Sequence, residues 1–452
     1  MFELYWNAFA TVLLPQNILA ICLGGLWGLL AGALPGISTS MGVVLLLSFT
    51  YALSPITAFC MLCAAYCGGI TGGSIISILF GIPGEPSAIP TTIEGYALAK
   101  QGRAAYALWL FIICSIAGGI FSVLIMMVAT PVMANFALQF GPPEFFALVA
   151  PGLSVVSSLS GGSVLKGFLA CSFGLFLATV GTDGITGGER FTFGTTILLG
   201  GINFVTAMVG LLAVSEILEE AERPFTEYKS SVRYTGLRDE LPRLVDYTKH
   251  WFLLVRSAVL GTVVGSLPGG GATIVSCLAY GDASRSTKHP ETIGKGSEEG
   301  LMAAETANNA ATGGSMTILL ALGIPGGNTT AMLIAAFMIH GMQPGPMLYA
   351  SRPDIIYGIF VAMLLSNVFL LVLTIMSIQL FLQLNRLPYT AFSATIMILC
   401  VIGAFGLANS MDDLYIMFAF GVIGYVMRKY KIPIAPAVLG LVLGDLAELS
   451  LR

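Results

Sequence analysis

The chain has 452 residues, 56% of them hydrophobic and 10% charged, with a net charge of −4 and a mean hydropathy of +0.88. Soluble domains carry about 25% charged residues. A chain this apolar has too little polar surface to stand in water and is expected to be an integral membrane protein, with no nucleic-acid partner.

A helix needs about 20 apolar residues to cross the hydrocarbon core, which leaves room for roughly ten to twelve spans in an all-α polytopic fold. Positions 1–16 lack a basic n-region and a small-residue cleavage site, so 17–34 is read as a retained first span. It ends at the break Leu34-Pro35-Gly36. Further spans are expected at 41–53, 57–80 and 106–130, with shorter or interrupted ones at 145–159, 164–180 and 195–214. The longest polar stretch, 215–250, holds eight acidic and six basic residues and is expected to form an interfacial helix and loop. A second series follows: 251–267 up to Leu267-Pro268-Gly269, 272–280, a polar loop at 281–300, 303–322 and 329–341. Ordinary spans at 355–382, 389–407, 414–427 and 434–449 complete the chain. The expected divisions are 1–214, 215–250, 251–382 and 383–452.

Three strings occur twice. Leu34-Pro35-Gly36, Thr71-Gly72-Gly73-Ser74 and Gly81-Ile82-Pro83-Gly84 return as Leu267-Pro268-Gly269, Thr312-Gly313-Gly314-Ser315 and Gly323-Ile324-Pro325-Gly326. Pro35 and Pro268 lie 233 positions apart, and Pro83 and Pro325 lie 242 apart. A repeat this long is a duplicated membrane half rather than a solenoid. Gly/Pro-broken apolar segments at matching places in two halves point to a transporter's binding site. Lys and Arg collect on cytoplasmic loops. Lys100 and Arg103 follow the first Ile-Pro-Gly, whereas Arg285, Lys288 and Lys295 precede the second. One crossing between those places predicts that the halves are inverted, with both basic loops on one side.

A helix that starts after such a break presents unpaired N–H groups and a positive dipole end, which suits a carboxylate. Pro35, Gly36, Ser38, Thr39 and Ser40, with Pro268, Gly269, Gly270, Gly271 and Thr273, are the candidate anion ligands. The alternative is a kinked helix with close packing. Gly73, Ser74, Pro83 and Gly84, and Pro325, Gly326, Asn328 and Thr329, extend the expected polar lining, although the Gly spacing also fits plain helix contact.

Glu305, Asn308 and Asn309 fall on one helix face inside an apolar run. With Ser315 they are the candidate ligands of a hard cation such as sodium. The alternative for Glu305 is an interfacial cap. Glu85 and Glu94 are read as solvated-loop groups, with a gating or interfacial role as the alternative, and Asp183, Glu189, Arg190, Asp445 and Glu448 as turn or interfacial groups. Cys60, Cys63 and Cys67 have helical spacing but no companion His, so they are read as packing. No phosphate-binding loop and no nucleophile with a base is visible, so neither ATP hydrolysis nor another enzymatic activity is expected. No organic cofactor is expected either.

In these strings the chain resembles the large membrane subunit of the tripartite tricarboxylate transporters, the TctA-like proteins. The resemblance extends through Glu94-Gly95-Tyr96, Gln101-Gly102-Arg103, Asn308-Asn309-Ala310 and His340-Gly341-Met342-Gln343-Pro344-Gly345-Pro346, and covers about positions 24–380. The chain is somewhat short for that family. The resemblance implies a bacterial inner-membrane permease that works with a small four-helix membrane subunit and a periplasmic substrate-binding protein. It further implies import of citrate or related carboxylates, driven by a sodium gradient rather than by ATP. A stand-alone ion-coupled carboxylate carrier is the alternative.

Overall fold

The structure is a computed structural model that describes residues 2–34, 37–139, 163–183, 186–222, 232, 236–237, 240, 242–268, 271–384, 389–408 and 410–451. It is almost entirely helical. In chain order the first helices are α1 (Phe2–Val12), α2 (Pro15–Ala33), α3 (Thr39–Thr50), α4 (Pro55–Phe80), α5 (Ile89–Leu98) and α6 (Ala104–Ala137). Then come α7 (Val164–Ala178) and a two-stranded ribbon of β1 (Gly181–Thr182) and β2 (Glu189–Arg190). The short helices α8 (Phe204–Met208), α9 (Ser215–Ala221) and α10 (Leu244–Thr248) lead to α11 (Trp251–Gly265), α12 (Gly271–Ser286) and α13 (Glu298–Leu322). The last are α14 (Asn328–Ile339), α15 (Pro346–Ser351), α16 (Pro353–Leu384), α17 (Tyr389–Ala408), α18 (Met411–Lys429) and α19 (Ile434–Leu451).

Among the described residues four helical stretches are long and apolar enough to cross a bilayer: Pro15–Ala33, Pro55–Phe80, Pro86–Ala137 and Pro353–Leu382. Shorter apolar helices flank the breaks; twelve-residue α3 is only about 18 Å long, less than the ~30 Å hydrocarbon core. The outer faces are apolar, with Leu124, Val128 and Val132 exposed on α6 and Val368, Val372 and Met376 on α16. Side chains repeating every four residues form one stripe, which suits hydrocarbon.

Several boundaries differ from the sequence expectation. The span at 195–214 starts at Phe204, because Thr196–Leu198 forms a single 3-10 turn. A π-helical stretch, Val209–Val214, then joins α8 to α9, so the polar stretch begins inside a continuous helix. Helix α12 continues to Ser286 and shortens the expected loop at 281–300. The expected span at 145–159 lies outside the described residues.

The core is the pair α4 and α13. Each begins on a serine cap, Ser54 or Ser297, whose side chain accepts a first-turn N–H. Each ends on a left-handed glycine, Gly81 at φ 72° and Gly323 at φ 76°. Helices in hydrocarbon gain little from hydrophobic contact and rely on close packing of small residues. That approach is extreme here. A Cβ on Gly28 would lie 2.3 Å from the Ala65 carbonyl oxygen, and one on Gly32 would lie 1.9 Å from that of Gly69.

The same contacts recur further along. Gly261 meets the Ala307 carbonyl, Gly265 meets Ala311 and Gly314 meets the Thr262 carbonyl, as Gly72 meets that of Leu29. The offsets are 233 for the outer helix and 242 for the central one. The two Thr-Gly-Gly-Ser strings, however, are 241 apart. In packing, therefore, Ser315 takes the place of Gly73 rather than of Ser74. Gly84 against Gly73 and Gly326 against Ser315 repeat the same register.

Polar ties hold α4 and α13 together. Thr71 Oγ1 donates to Asn309 Oδ1 at 3.0 Å, and Ser74 Oγ to Glu305 Oε1 at 2.6 Å. One residue number rises as the other falls, so the helices run antiparallel at this contact. Thr91 of α5 and Ser115 of α6 also donate to the Glu305 carboxylate.

Glu94 is fully buried rather than solvated. Its carboxylate accepts the N–H groups of Gly294 (2.6 Å), Gly296 (2.9 Å) and Ser297 (2.7 Å), and the Tyr280 hydroxyl (2.7 Å). Gln101 Nε2 donates to the Lys295 carbonyl, and Arg103 pairs with Glu298. The two basic loops therefore lie together.

Gly32→Val is expected to abolish recovery of folded protein by size-exclusion chromatography, whereas Gly281→Ala, which faces open space, is tolerated. Glu94→Ala strands three backbone donors at a cost of about 1–3 kcal/mol for each one that water cannot reach. A clear fall in melting temperature is the expected readout.

Candidate functional site

Helices α3, α12, α14 and α19 all begin at one cleft of about 520 Å³. Its walls include Ser38, Thr39 and Ser40 after the first Pro-Gly break, and Glu85, Pro86 and Ser87 after the first Ile-Pro-Gly. From the second series come Gly271 to Ile274 and Gly327 to Thr329. Tyr66 and Ile70 of α4 and Ser315 of α13 form its floor.

The sequence dictates this arrangement locally. Ser38 is extended and its Oγ accepts the Met41 N–H at 3.2 Å, which starts α3 at Thr39. Gly327 is extended before α14, and the Thr330 hydroxyl accepts its N–H at 2.9 Å. The Gly271 N–H donates to the Gly326 carbonyl at 3.4 Å, which ties the start of α12 to the second Ile-Pro-Gly. Ser40 Oγ and Thr329 Oγ1 lie 3.0 Å apart and bridge the two series directly. First-turn N–H groups lack helical partners and carry the positive dipole end. Several such ends around one hydroxyl-lined cleft make an environment that favours an anion.

Of the candidate anion ligands, Ser38, Thr39, Ser40, Gly271, Thr273, Asn328 and Thr329 meet at this cleft. Gly73, Gly84 and Gly326 lie behind its wall, where Gly84 contacts Gly73 and Gly326 contacts Ser315. Pro83, Pro268 and Pro325 break the chain nearby without lining the cleft, and Ser74 faces Glu305 instead. Pro35, Gly36, Gly269 and Gly270 lie outside the described residues.

The candidate cation ligands are divided. Glu305, Asn308 and Asn309 are buried in the third and fourth turns of α13, and Glu305 is not an interfacial cap. Ser315 is at the cleft, ten residues or about 15 Å further along the helix. Its hydroxyl donates to the Gly265 carbonyl at 2.9 Å. Both amide atoms of Asn308 are buried and have no hydrogen-bond partner among the described residues.

Sequence reasoning missed two groups at the cleft. Arg428, in the last turn of α18, pairs with Glu216 at 2.5 Å and Glu219 at 3.3 Å and also bonds Ser215 Oγ at 3.0 Å. A last-turn arginine reads in sequence as an ordinary helix-end cation. Glu85 reads as loop, yet it is 8% exposed and accepts the Thr39 N–H. It packs against Gly73, where a Cβ would lie 2.9 Å from Glu85 Cβ, a long-range contact with no signal in the sequence. At the far end of the molecule Arg190 joins Asp183 to Glu448, which gives those turn and tail groups a structural role.

Comparison with known proteins agrees with this picture. Residues 18–439 match the family described as the tripartite tricarboxylate transporter TctA family. The chain is also 38% identical over 447 residues to an uncharacterized 52.8 kDa protein of Agrobacterium vitis, from the 3′ region of ttuC′ in TAR-I. That match covers 98% of this chain and 88% of the relative. A second Agrobacterium vitis protein, from the corresponding TAR-II region, is 36% identical over 192 residues, covering 42% of this chain and 79% of its own length. No solved structure matches. With a family match across nearly its whole length, the chain belongs to the tripartite tricarboxylate transporter TctA family and is a multi-pass membrane component of a transporter.

Proposed function

We propose that the chain is the inner-membrane permease of a binding-protein-dependent secondary transporter that imports tricarboxylates or related organic carboxylates. The observation that carries this is the cleft where helix starts from both series meet, with Ser40 bridged to Thr329. Backbone N–H groups and hydroxyls there offer a carboxylate several donors, and charge-assisted bonds of this kind are the strong ones. A small four-helix subunit and a periplasmic binding protein are the proposed partners, and sodium is the proposed coupling ion.

The two series are proposed as inverted halves that move against each other to expose the cleft alternately. Recurrence of the glycine contacts and the antiparallel course of α4 and α13 support this. So does the meeting of the two basic loops. Accessibility mapping of cysteines placed at Lys100 and Lys288 is expected to find both on the cytoplasmic side; opposite sides would exclude inversion.

The decisive experiment is uptake of labelled citrate and a panel of carboxylates into proteoliposomes that hold this chain with the small subunit. Uptake is expected to need both the binding protein and an inward sodium gradient. Uptake with sodium alone would instead identify a stand-alone carrier, and no uptake of any panel member would remove the carboxylate reading. Cysteines at Ser38, Ser40, Thr273 or Thr329, in a background lacking the exposed Cys277, are expected to react with a charged thiol reagent and to be protected by substrate. A cysteine at buried Ser74 is expected not to react.

A further inference from the structure

We propose that Glu85, Thr39 and Ser87 form a sodium-type cation site in the wall of the cleft, distinct from the Glu305 group. Thr39 and Ser87 are each 2% exposed and both line the cleft; among the described residues the Ser87 hydroxyl has no hydrogen-bond partner, and the Thr39 hydroxyl lies against the Glu85 carboxylate. Buried polar atoms are paired in the great majority of cases, so an orphan hydroxyl two residues from a buried carboxylate asks for a missing ligand. Glu85 lies two residues before Ser87, its Oε1 accepts the Thr39 N–H, and all three residues line the same cleft.

The donors are all hard oxygens, which suit a hard cation. One carboxylate balances one positive charge. A divalent ion would leave a net charge in a water-poor site, where uncompensated charge is costly. The Glu305 carboxylate, by contrast, already accepts hydroxyls from three helices.

The simplest structural duty of Glu85 would be to cap α3. The repeated packing argues against that as its whole role. The 242-residue register of the central helix places Gly327 where Glu85 stands and Thr329 where Ser87 stands. The 233-residue register of the outer helix places Ala272 where Thr39 stands. A Cβ on Gly327 would lie 3.5 Å from Gly271 Cα, so Gly327 occupies the matching position beside the start of α12. Helix α12 therefore starts without a carboxylate, and the fold does not require one there. The acid belongs to the first series only, so the cleft has a carboxylate beside its helix starts on one side. Coupling would then be direct, because a cation on Glu85 adds positive charge beside the bound anion. This last step rests on the carboxylate reading; the cation site does not.

The test is binding of ²²Na⁺ to purified protein in nanodiscs, with citrate binding measured in parallel. Wild type is expected to bind sodium saturably, with displacement by unlabelled Na⁺ and not by K⁺. Glu85→Gln is expected to weaken sodium binding at least tenfold. Ser87→Ala, which keeps the carboxylate and guards against a folding failure in the first variant, should weaken it severalfold. Melting curves check that both variants are folded. The proposal is overturned if folded Glu85→Gln and Ser87→Ala bind sodium like wild type, or if wild type binds none. Sodium binding lost in Glu305→Gln but kept in Glu85→Gln would also overturn it. Sodium binding without any carboxylate binding would sink the transport reading and leave the cation site standing.

Discussion

The rest of the structure depends on backbone-to-backbone contact between helices at glycine. Lipid is as apolar as leucine, so two helices gain little by hiding apolar side chains from it. What holds them is dispersion, and dispersion falls steeply with separation. Gly24, Gly28 and Gly32 let α2 rest on the carbonyls of α4, and Gly261 and Gly265 let α11 rest on α13. Only with the outer helices pressed so close can the breaks that follow them meet at one cleft. A side chain at any of these points would separate the helix starts as surely as deleting one of them.

Within that frame the two series share architecture and differ in chemistry. Each has an outer helix, a break, a short helix and a central helix closed by a left-handed glycine. The first places a carboxylate and a proline after its second break, Glu85 and Pro86, where the other has Gly327 and Asn328. The recurring contacts thus supply a frame, and single-residue differences place a carboxylate in one wall only. Glu305 and Glu94 carry the polar bonds that tie the series together, so neither buried carboxylate is left unsatisfied.

Much of this was legible in the sequence, because Gly and Pro punctuate helices through local sterics alone. Both breaks, the hydroxyls beside them and most span positions follow from that. Ser38, Ser40, Thr273 and Thr329 were found by their neighbourhood in sequence, and they share a cleft. What escaped depends on long-range packing. Glu85 looks like loop because its neighbours are Gly and Pro, and burial by Gly73 and Thr39 is invisible in the string. Arg428 reaches the cleft only because α18 packs beside α9. Matching letters put Ser74 opposite Ser315, yet packing is one residue out of that alignment, since the contacting glycines and not the matched string set the register. Glu305, Asn308 and Asn309 share a helix face, but ten residues of helix keep Ser315 away from Glu305.

The hydroxyl pair Ser40 and Thr329 has a mechanical implication. A neutral hydrogen bond contributes about 0.5–1.5 kcal/mol net, only one to a few times the thermal energy. The bond by itself is therefore a weak clasp between the two series. A solute carrying two or more oxygens has the acceptors to take both hydroxyls at once and to replace the clasp with itself.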